Sequence, residues 1–173
     1  MFYFLAPILL IAGFLAYAST KPNTLKIHRE SVINAAPDVI FPLLEDFHQW
    51  TRWSPWEDKD PQMKRVYSGA ESGVGAIYEW FGDKNVGEGK MEILTADQNT
   101  LIILKLDFIK PFEGHNTTEF KLTPEGANTR LSWTMTGEAN LMSKAMSTFI
   151  DMDKMIGKDF EKGLENLNRA CQS

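Results

Sequence analysis

The sequence predicts an α+β domain in which a seven-stranded antiparallel sheet wraps around one long C-terminal helix, preceded by an N-terminal transmembrane helix. Three observations carry this prediction. Residues 1–18 contain no charged side chain. The middle of the chain alternates apolar and polar residues between turn signals, which is typical of strands with one wet face. Residues 140–170 carry apolar side chains at steps of three and four, which is typical of a single helical stripe.

The composition fits one folded domain with an appendage. The 173 residues are 43% hydrophobic and 12% aromatic, which is enough for a packed core. The net charge is −5, and because nucleic-acid binding needs a basic face, we predict no nucleic-acid partner. The single cysteine, Cys171, allows no intramolecular disulfide.

Residues 1–20 are predicted to be a single-pass membrane anchor, with membrane contact through residues 1–18. Eighteen helical residues would span roughly 27 Å, close to the hydrocarbon thickness of a bilayer. A signal peptide is the alternative, because alanines flank Tyr17 and would allow cleavage near Ala18, giving a secreted or periplasmic domain. No basic residue precedes the apolar run, which favours the retained anchor.

Residues 21–23 are predicted to be a linker, and residues 24–173 the ligand-binding domain. Lys21, Lys26 and Arg29 follow the apolar run, and the positive-inside tendency then places the domain on the cytoplasmic side. Three charges are too few to decide on which side of the membrane the domain lies.

The domain is predicted to begin with a strand and two short helical pieces. Residues 24–33 alternate as a half-exposed strand. Pro37 and Asp38 mark a helix start, and Pro42 should shorten or kink that helix. The second piece carries three tryptophans, Trp50, Trp53 and Trp56. This tryptophan cluster either plugs one end of the core, lines a cavity mouth or contacts the bilayer interface.

Six further strands are predicted between turn signals. They span residues 64–68, 75–81, 86–95, 100–109, 115–123 and 129–137. Charged side chains fall on one face of these strands and apolar side chains on the other. The sheet is therefore expected to be wet on one side and covered on the other.

The cover is the predicted helix 140–170. Its apolar stripe comprises Met142, Met146, Phe149, Met152, Ile156, Phe160, Leu164 and Leu167. Such a helix would be about 45 Å long and would span the sheet. Methionine is a flexible gap filler, so the stripe fits either an adaptable pocket or ordinary core packing.

This order of elements is similar to the helix-grip fold of the SRPBCC superfamily, the START-like and birch-pollen-allergen-type proteins. Local sequence resembles its polyketide cyclase/dehydrase and lipid-transport branch, in which a hydrophobic N-terminal segment also occurs. The resemblance rests on residues 31–41 (SVINAAPDVIF), 50–56 (WTRWSPW), 78–80 (YEW), 87–93 (GEGKMEI) and 129–133 (TRLSW). It covers about residues 24–170 and implies a hydrophobic cavity between sheet and helix. It implies no single reaction, because the members include lipid carriers, hormone receptors and cyclases.

The predicted ligand-binding residues are those expected to face that cavity, where they would hold an apolar small molecule or lipid. They are Trp53, Tyr78, Trp80, Met91, Leu104, Leu106, Phe120, Trp133, Met135, Met142, Met146, Phe149 and Ile156. No cofactor is predicted. No metal site is predicted either, because His28, His48 and His115 stand in different elements.

The sequence does not require catalysis, and no catalytic residue is predicted outright. Tyr78 and Glu79 occupy opposite faces of the strand 75–81, and the pattern favours Tyr78 together with Trp80 on the inner face. Tyr78 and Glu79 are the candidates for an acid or base in a cyclase- or dehydratase-type enzyme acting on a hydrophobic substrate. Membrane-anchored binding or transport is the favoured function. The enzyme and a non-catalytic scaffold with a packed core are the alternatives.

Overall fold

The computed structural model describes residues 5–139 and 141–172. The helices are α1 (Leu5–Ser19), α2 (Pro37–Glu45), α3 (Pro55–Lys59), α4 (Leu141–Met146) and α5 (Met152–Ala170), and a 3-10 helix spans Phe47–Arg52. The strands are β1 (Thr24–Ile33), β2 (Lys64–Gly69), β3 (Ala76–Phe81), β4 (Glu88–Asp97), β5 (Leu101–Lys110), β6 (Gly114–Glu125) and β7 (Asn128–Glu138).

The seven strands form one antiparallel sheet in the order β1-β7-β6-β5-β4-β3-β2. Successive strands pair as hairpins from β2 to β7, and β1 returns to pair with β7. The predicted α+β fold with a seven-stranded antiparallel sheet and a C-terminal helix is confirmed. As expected, α2 begins at Pro37 and is short, with Pro42 inside it.

One face of the sheet points toward α5 and supplies most of the core. On β7, Leu131, Trp133 and Met135 are buried, while the alternate residues Ser132 and Thr134 are only partly buried. The same alternation runs along β3 and β4. Burying each large apolar side chain is worth about 1.5–3 kcal/mol, so this inner face holds the sheet against the helix.

α5 packs against β1 and against Trp133 of β7, and it also contacts α3 and the 3-10 helix. The ring of Phe160 stacks on that of Trp133, with centroids 4.0 Å apart. A β-carbon at Gly163 would lie 2.7 Å from the Trp133 ring, so a glycine at this position lets the helix approach closely. Near the start of α5, the Arg29 guanidinium pairs with Asp153 at 3.0 Å and with Glu161 at 2.7 Å. These contacts fix α5 along β1 and β7.

The prediction of one continuous helix over residues 140–170 is wrong, because the helix is interrupted between α4 and α5. The hydroxyl of Ser147 donates to the Lys144 carbonyl at 2.8 Å, and the hydroxyl of Thr148 donates to the same carbonyl at 3.2 Å. Asp151 then caps α5 by accepting from the Lys154 backbone N–H at 3.1 Å. Hydroxyl and carboxylate side chains that bond the local backbone compete with helix continuation and favour helix starts. An apolar stripe carries no information about such a break.

The N-terminal apolar segment is helical from Leu5 to Ser19 and packs against α4. The rings of Phe14 and Phe149 stack with centroids 5.5 Å apart. The predicted transmembrane helix is not found: none of the helices within residues 5–139 and 141–172 is long and apolar enough to cross a membrane. Residues 1–4 of the predicted anchor lie outside the described residues.

Candidate ligand-binding site

The predicted ligand-binding residues divide into two groups, and the first group is packed beneath α5. Trp53, Phe120 and Trp133 contact one another through their rings, at centroid distances of 4.9–6.1 Å. The indole N–H of Trp53 donates to the Leu43 carbonyl at 2.9 Å, which fixes the ring. These side chains fill the space between sheet and helix, so this half of the predicted cavity is core.

The tryptophan cluster belongs to the same packed half. Trp50 and Trp53 are buried, and the Trp50 indole N–H donates to the Leu44 carbonyl at 3.1 Å. Trp56 is half-buried and contacts Trp133 and Phe160 edge to face. Of the three roles considered for this tryptophan cluster, the burial of Trp50 and Trp53 supports that of closing one end of the core.

The second group lies toward the other end of the strands and extends across the sheet, from Tyr78 and Trp80 on β3 to Met135 on β7. Tyr78, Trp80, Met91, Leu104 and Met135 are buried there on the inner face. Leu106, Met146 and Ile156 are partly buried. The side chain of Met142 lies outside those that the structure describes. Phe149 is 79% exposed and meets Phe14 of α1 rather than closing a cavity.

At this end the inner face of the sheet is partly uncovered. The cross-strand register aligns Leu25 with Gly137, Gly137 with Asn116, and Asn116 with Leu106, in one row across β1, β7, β6 and β5. These four residues and Phe108 are only partly buried, although they face inward. We call this surface the open end. Its side chains are mostly apolar, and Leu25, Leu106 and Phe108 pack against the core while staying partly exposed.

One polar atom lies just beneath the open end without a partner. Thr118 sits in the next row, between Leu104 on β5 and Met135 on β7. The residue is 3% exposed, and its hydroxyl has no hydrogen-bond partner among the described residues. Buried hydroxyls are normally paired, because an unpaired one costs about 1–3 kcal/mol. The indole N–H of Trp133, deeper in the core, is also unpaired.

A buried ion pair lies at the sheet edge formed by β2 and β3. Glu57 of α3 is 8% exposed, and its Oε2 accepts from Arg65 Nε at 2.7 Å. Its other oxygen, Oε1, accepts from the Tyr78 hydroxyl at 3.0 Å. Sequence reasoning missed Glu57, because a carboxylate in a short acidic helix reads as solvent-exposed. Only the approach of α3 to β2 buries it.

This network argues against Tyr78 as a free acid or base. Burial raises the pKa of the Tyr78 phenol well above its ordinary value, and the nearby Glu57 carboxylate raises it further. The phenol therefore stays neutral and its proton is directed at Glu57. Tyr78 and Trp80 face inward as the alternation predicted, and Glu79 lies on the other face, partly exposed.

The raised pKa of Tyr78 predicts a loss of stability in alkali. Above about pH 10 a tyrosine of the unfolded chain loses its proton while buried Tyr78 keeps it, so the free energy of unfolding falls as pH rises. One such group contributes a slope of up to about 1.4 kcal/mol per pH unit. We expect Tyr78→Phe to remove that part of the slope in urea titrations between pH 9 and 11. An unchanged slope would show that Tyr78 ionises in the folded protein.

Two cavities lie outside the sheet–helix interface. One of about 600 Å³ follows α2 and the 3-10 helix, lined by Asp38, Glu45, Asp46, Arg52 and Glu71 among others. The other, of about 330 Å³, lies near the C-terminal end of α5 and includes Arg169. Both are surface grooves with charged walls, which suits them poorly to an apolar ligand.

The three histidines lie apart on the surface. His28 Nδ1 is 2.8 Å from the Thr134 hydroxyl, His48 Nδ1 is 2.8 Å from Asp46, and His115 Nδ1 is 2.7 Å from Asp107. Within the described residues, no group of three or more His, Cys, Asp or Glu side chains could hold a metal ion.

An open antiparallel sheet packed against a C-terminal helix is the arrangement of the helix-grip class of proteins. The family described as "Polyketide cyclase / dehydrase and lipid transport" matches this chain over residues 24–172. The chain therefore belongs to that family, within the SRPBCC superfamily. No curated protein matches it.

Solved structures show the same fold at low sequence identity. Protein CV1439 from Chromobacterium violaceum is 16% identical, with a TM-score of 0.61 over 88% of this chain and 99% of that one. Norcoclaurine synthase from Thalictrum flavum, a point mutant bound to a transition-state analogue, is 14% identical, with a TM-score of 0.64 over 87% and 97%. The di-domain aromatase/cyclase StfQ of the steffimycin biosynthetic pathway is 10% identical, with a TM-score of 0.62 over 86% and 51%.

Proposed function

We propose that this protein binds an apolar small molecule or lipid at the open end of its sheet, beside a membrane that its N-terminal segment contacts. One observation carries the proposal. The inner face of the sheet is sealed by α5 at one end, whereas at the other end apolar side chains that face inward stay partly exposed. A patch of partly exposed apolar side chains often marks a site for an apolar partner.

The side chains around the open end suit ligands of varied shape. Met91 pairs with Leu106 across β4 and β5, and Met135 lies one row deeper on β7, opposite Thr118. Methionine changes rotamer at low cost and fits irregular partners. The family description, which includes lipid transport, supports an apolar ligand.

The membrane part of the proposal rests on apolar side chains of α1 and the turn that follows α4. Leu10 is 75% exposed, Tyr17 is 53% exposed and Phe149 is 79% exposed. The same region lies beside the open end, because α1 leads into β1 and α4 follows β7. A bilayer that covered these side chains would bring lipid to the open end. Lys21 after α1 would then lie near the headgroups.

The enzyme alternative has less support from the geometry. A cyclase or dehydratase would need an acid or base free to reach its substrate. Tyr78 is engaged with Glu57, and Glu79 lies on the opposite face of β3 from Tyr78. Binding or transport therefore fits the described residues better than catalysis, and better than a fully packed scaffold, since apolar side chains at the open end stay partly exposed.

The test is binding of the fluorescent probe N-phenyl-1-naphthylamine by the full chain in mild detergent, with native mass spectrometry for co-purified lipid. We expect saturable binding near one probe per chain, and at least a fivefold loss of affinity for Leu106→Asn. The matched control is Ile109→Asn, which changes an exposed residue on the outer face of the same strand. No saturable binding, or equal losses in both variants, would refute the proposed site.

A further inference from the structure

We infer that the bound molecule carries a neutral hydroxyl group, and that Thr118 with Asn116 receives this group at the open end. The inference rests on the proposed function and specifies its ligand. It identifies a polar subsite in an otherwise apolar wall. The observation that carries it is the unpaired, buried hydroxyl of Thr118.

The unpaired hydroxyl of Thr118 lowers the free energy of unfolding, and no hydrogen bond within the described residues compensates for this loss. A valine at this position would have nearly the same shape and would leave no polar atom unpaired. The residues across the sheet from it, Leu104 and Met135, are apolar. A buried polar atom without a protein partner needs an explanation, and a ligand that supplies the partner is one. The position supports this, because Thr118 lies one row from the partly exposed residues of the open end.

Asn116 provides the second polar group. It follows the same inner face of β6 two residues before Thr118, and it stands in the open row opposite Leu106 and Gly137. Its amide lies over Gly137, where a β-carbon would collide with the side chain. Gly137 thus leaves room for the amide on the inner face. Asn116 lies in the partly exposed row of the open end, and Thr118 lies one row deeper on the same face of β6.

The charged residues on the inner face of the sheet indicate that the ligand group bound at Thr118 is neutral. The inward-facing cations Arg29 and Arg65 are each engaged by carboxylates, Arg29 by Asp153 and Glu161, and Arg65 by Glu57. A ligand carboxylate or phosphate buried at Thr118 would lack a counter-charge from these arginines, and burying an unpaired charge is costly. A hydroxyl both donates and accepts, as do the threonine hydroxyl and the asparagine amide.

Thr118 is 3% exposed, so a ligand reaches it only by displacing covering side chains. Its direct neighbour Met135 is flexible and can adopt other rotamers at low cost. The hydroxyl end of the ligand would enter first and the apolar body would remain against Leu25, Leu106 and Phe108. This orientation differs from that of an amphiphile whose polar end stays in water.

The test compares decan-1-ol, decane and decanoate as competitors of N-phenyl-1-naphthylamine, using the full chain. In the wild type we expect decan-1-ol to displace the probe more effectively than decanoate. We expect Thr118→Val to change the ratio of the alcohol and alkane dissociation constants about tenfold in favour of the alkane. The matched control is Thr117→Val, at an exposed outward residue of the same strand, which should leave that ratio unchanged.

Stability provides an independent readout. Thr118→Val should raise the unfolding temperature of the ligand-free protein, because it removes the unpaired hydroxyl. A lower unfolding temperature would reveal a structural partner for the hydroxyl and overturn the inference. An unchanged alcohol-to-alkane ratio with normal probe binding would overturn it too, while the proposed function stands. Failure of the wild type to bind the probe or any competitor would instead refute the proposed function.

Discussion

Replacing Phe160 by alanine is expected to lower the free energy of unfolding by about 3–5 kcal/mol. The Phe160 ring is 2% exposed and stacks on Trp133, and Trp56 contacts both rings edge to face. Its removal leaves a cavity that the rigid indole rings cannot fill. Urea unfolding followed by tryptophan fluorescence and by circular dichroism measures the loss.

Phe149→Ala is the matched control, since both phenylalanines belong to the stripe predicted along one helix. Phe149 is 79% exposed in the turn between α4 and α5, so we expect a change within about 0.5 kcal/mol. A loss at Phe149 as large as that at Phe160 would mean that both residues belong to one core. It would contradict the division into a packed half and an open end.

The second large effect is expected for Arg65→Met, at about 3 kcal/mol. The substitution leaves the Glu57 carboxylate buried with only the Tyr78 hydroxyl as a partner, and an unpaired buried charge is strongly destabilising. Methionine retains much of the apolar stem of arginine, so the loss reports mainly on charge. Chemical unfolding at neutral pH measures it.

Two comparisons isolate the contribution of the Glu57–Arg65 ion pair to the free energy of unfolding. The double variant Glu57→Gln/Arg65→Met removes both charges and should recover most of the lost stability. Arg130→Met removes an exposed arginine that pairs with Glu30 and Glu125, and should cost no more than about 1 kcal/mol. If the double variant is as unstable as Arg65→Met, the effect comes from packing and not from the unpaired carboxylate.

Much of this fold could be predicted from short-range patterns in the sequence. Strand alternation depends on the period of two, and turn residues end each strand, so the seven strands were predicted to within a few residues. The inward orientation of Tyr78 and Trp80 followed from the same alternation. Pro37 marked the start of α2, because its fixed φ suits the first turn of a helix.

The C-terminal segment shows the limit of periodicity. The apolar stripe continues through residues 147–151, yet the chain turns there because Ser147, Thr148 and Asp151 bond to nearby backbone groups. Whether such side chains bond the backbone or point to solvent depends on what the helix packs against. That information is long-range, so the stripe alone predicted one helix.

The sequence by itself determined the antiparallel sheet, the C-terminal helix against it and the family, because these follow from local periodicity and from motifs in order. The tertiary structure decided what lies between sheet and helix. It made Trp53 and Trp133 core, left Leu106 and Asn116 at an open end, and buried Glu57. Burial depends on which segments meet across the fold, so it is a property of three-dimensional packing that a linear pattern does not specify.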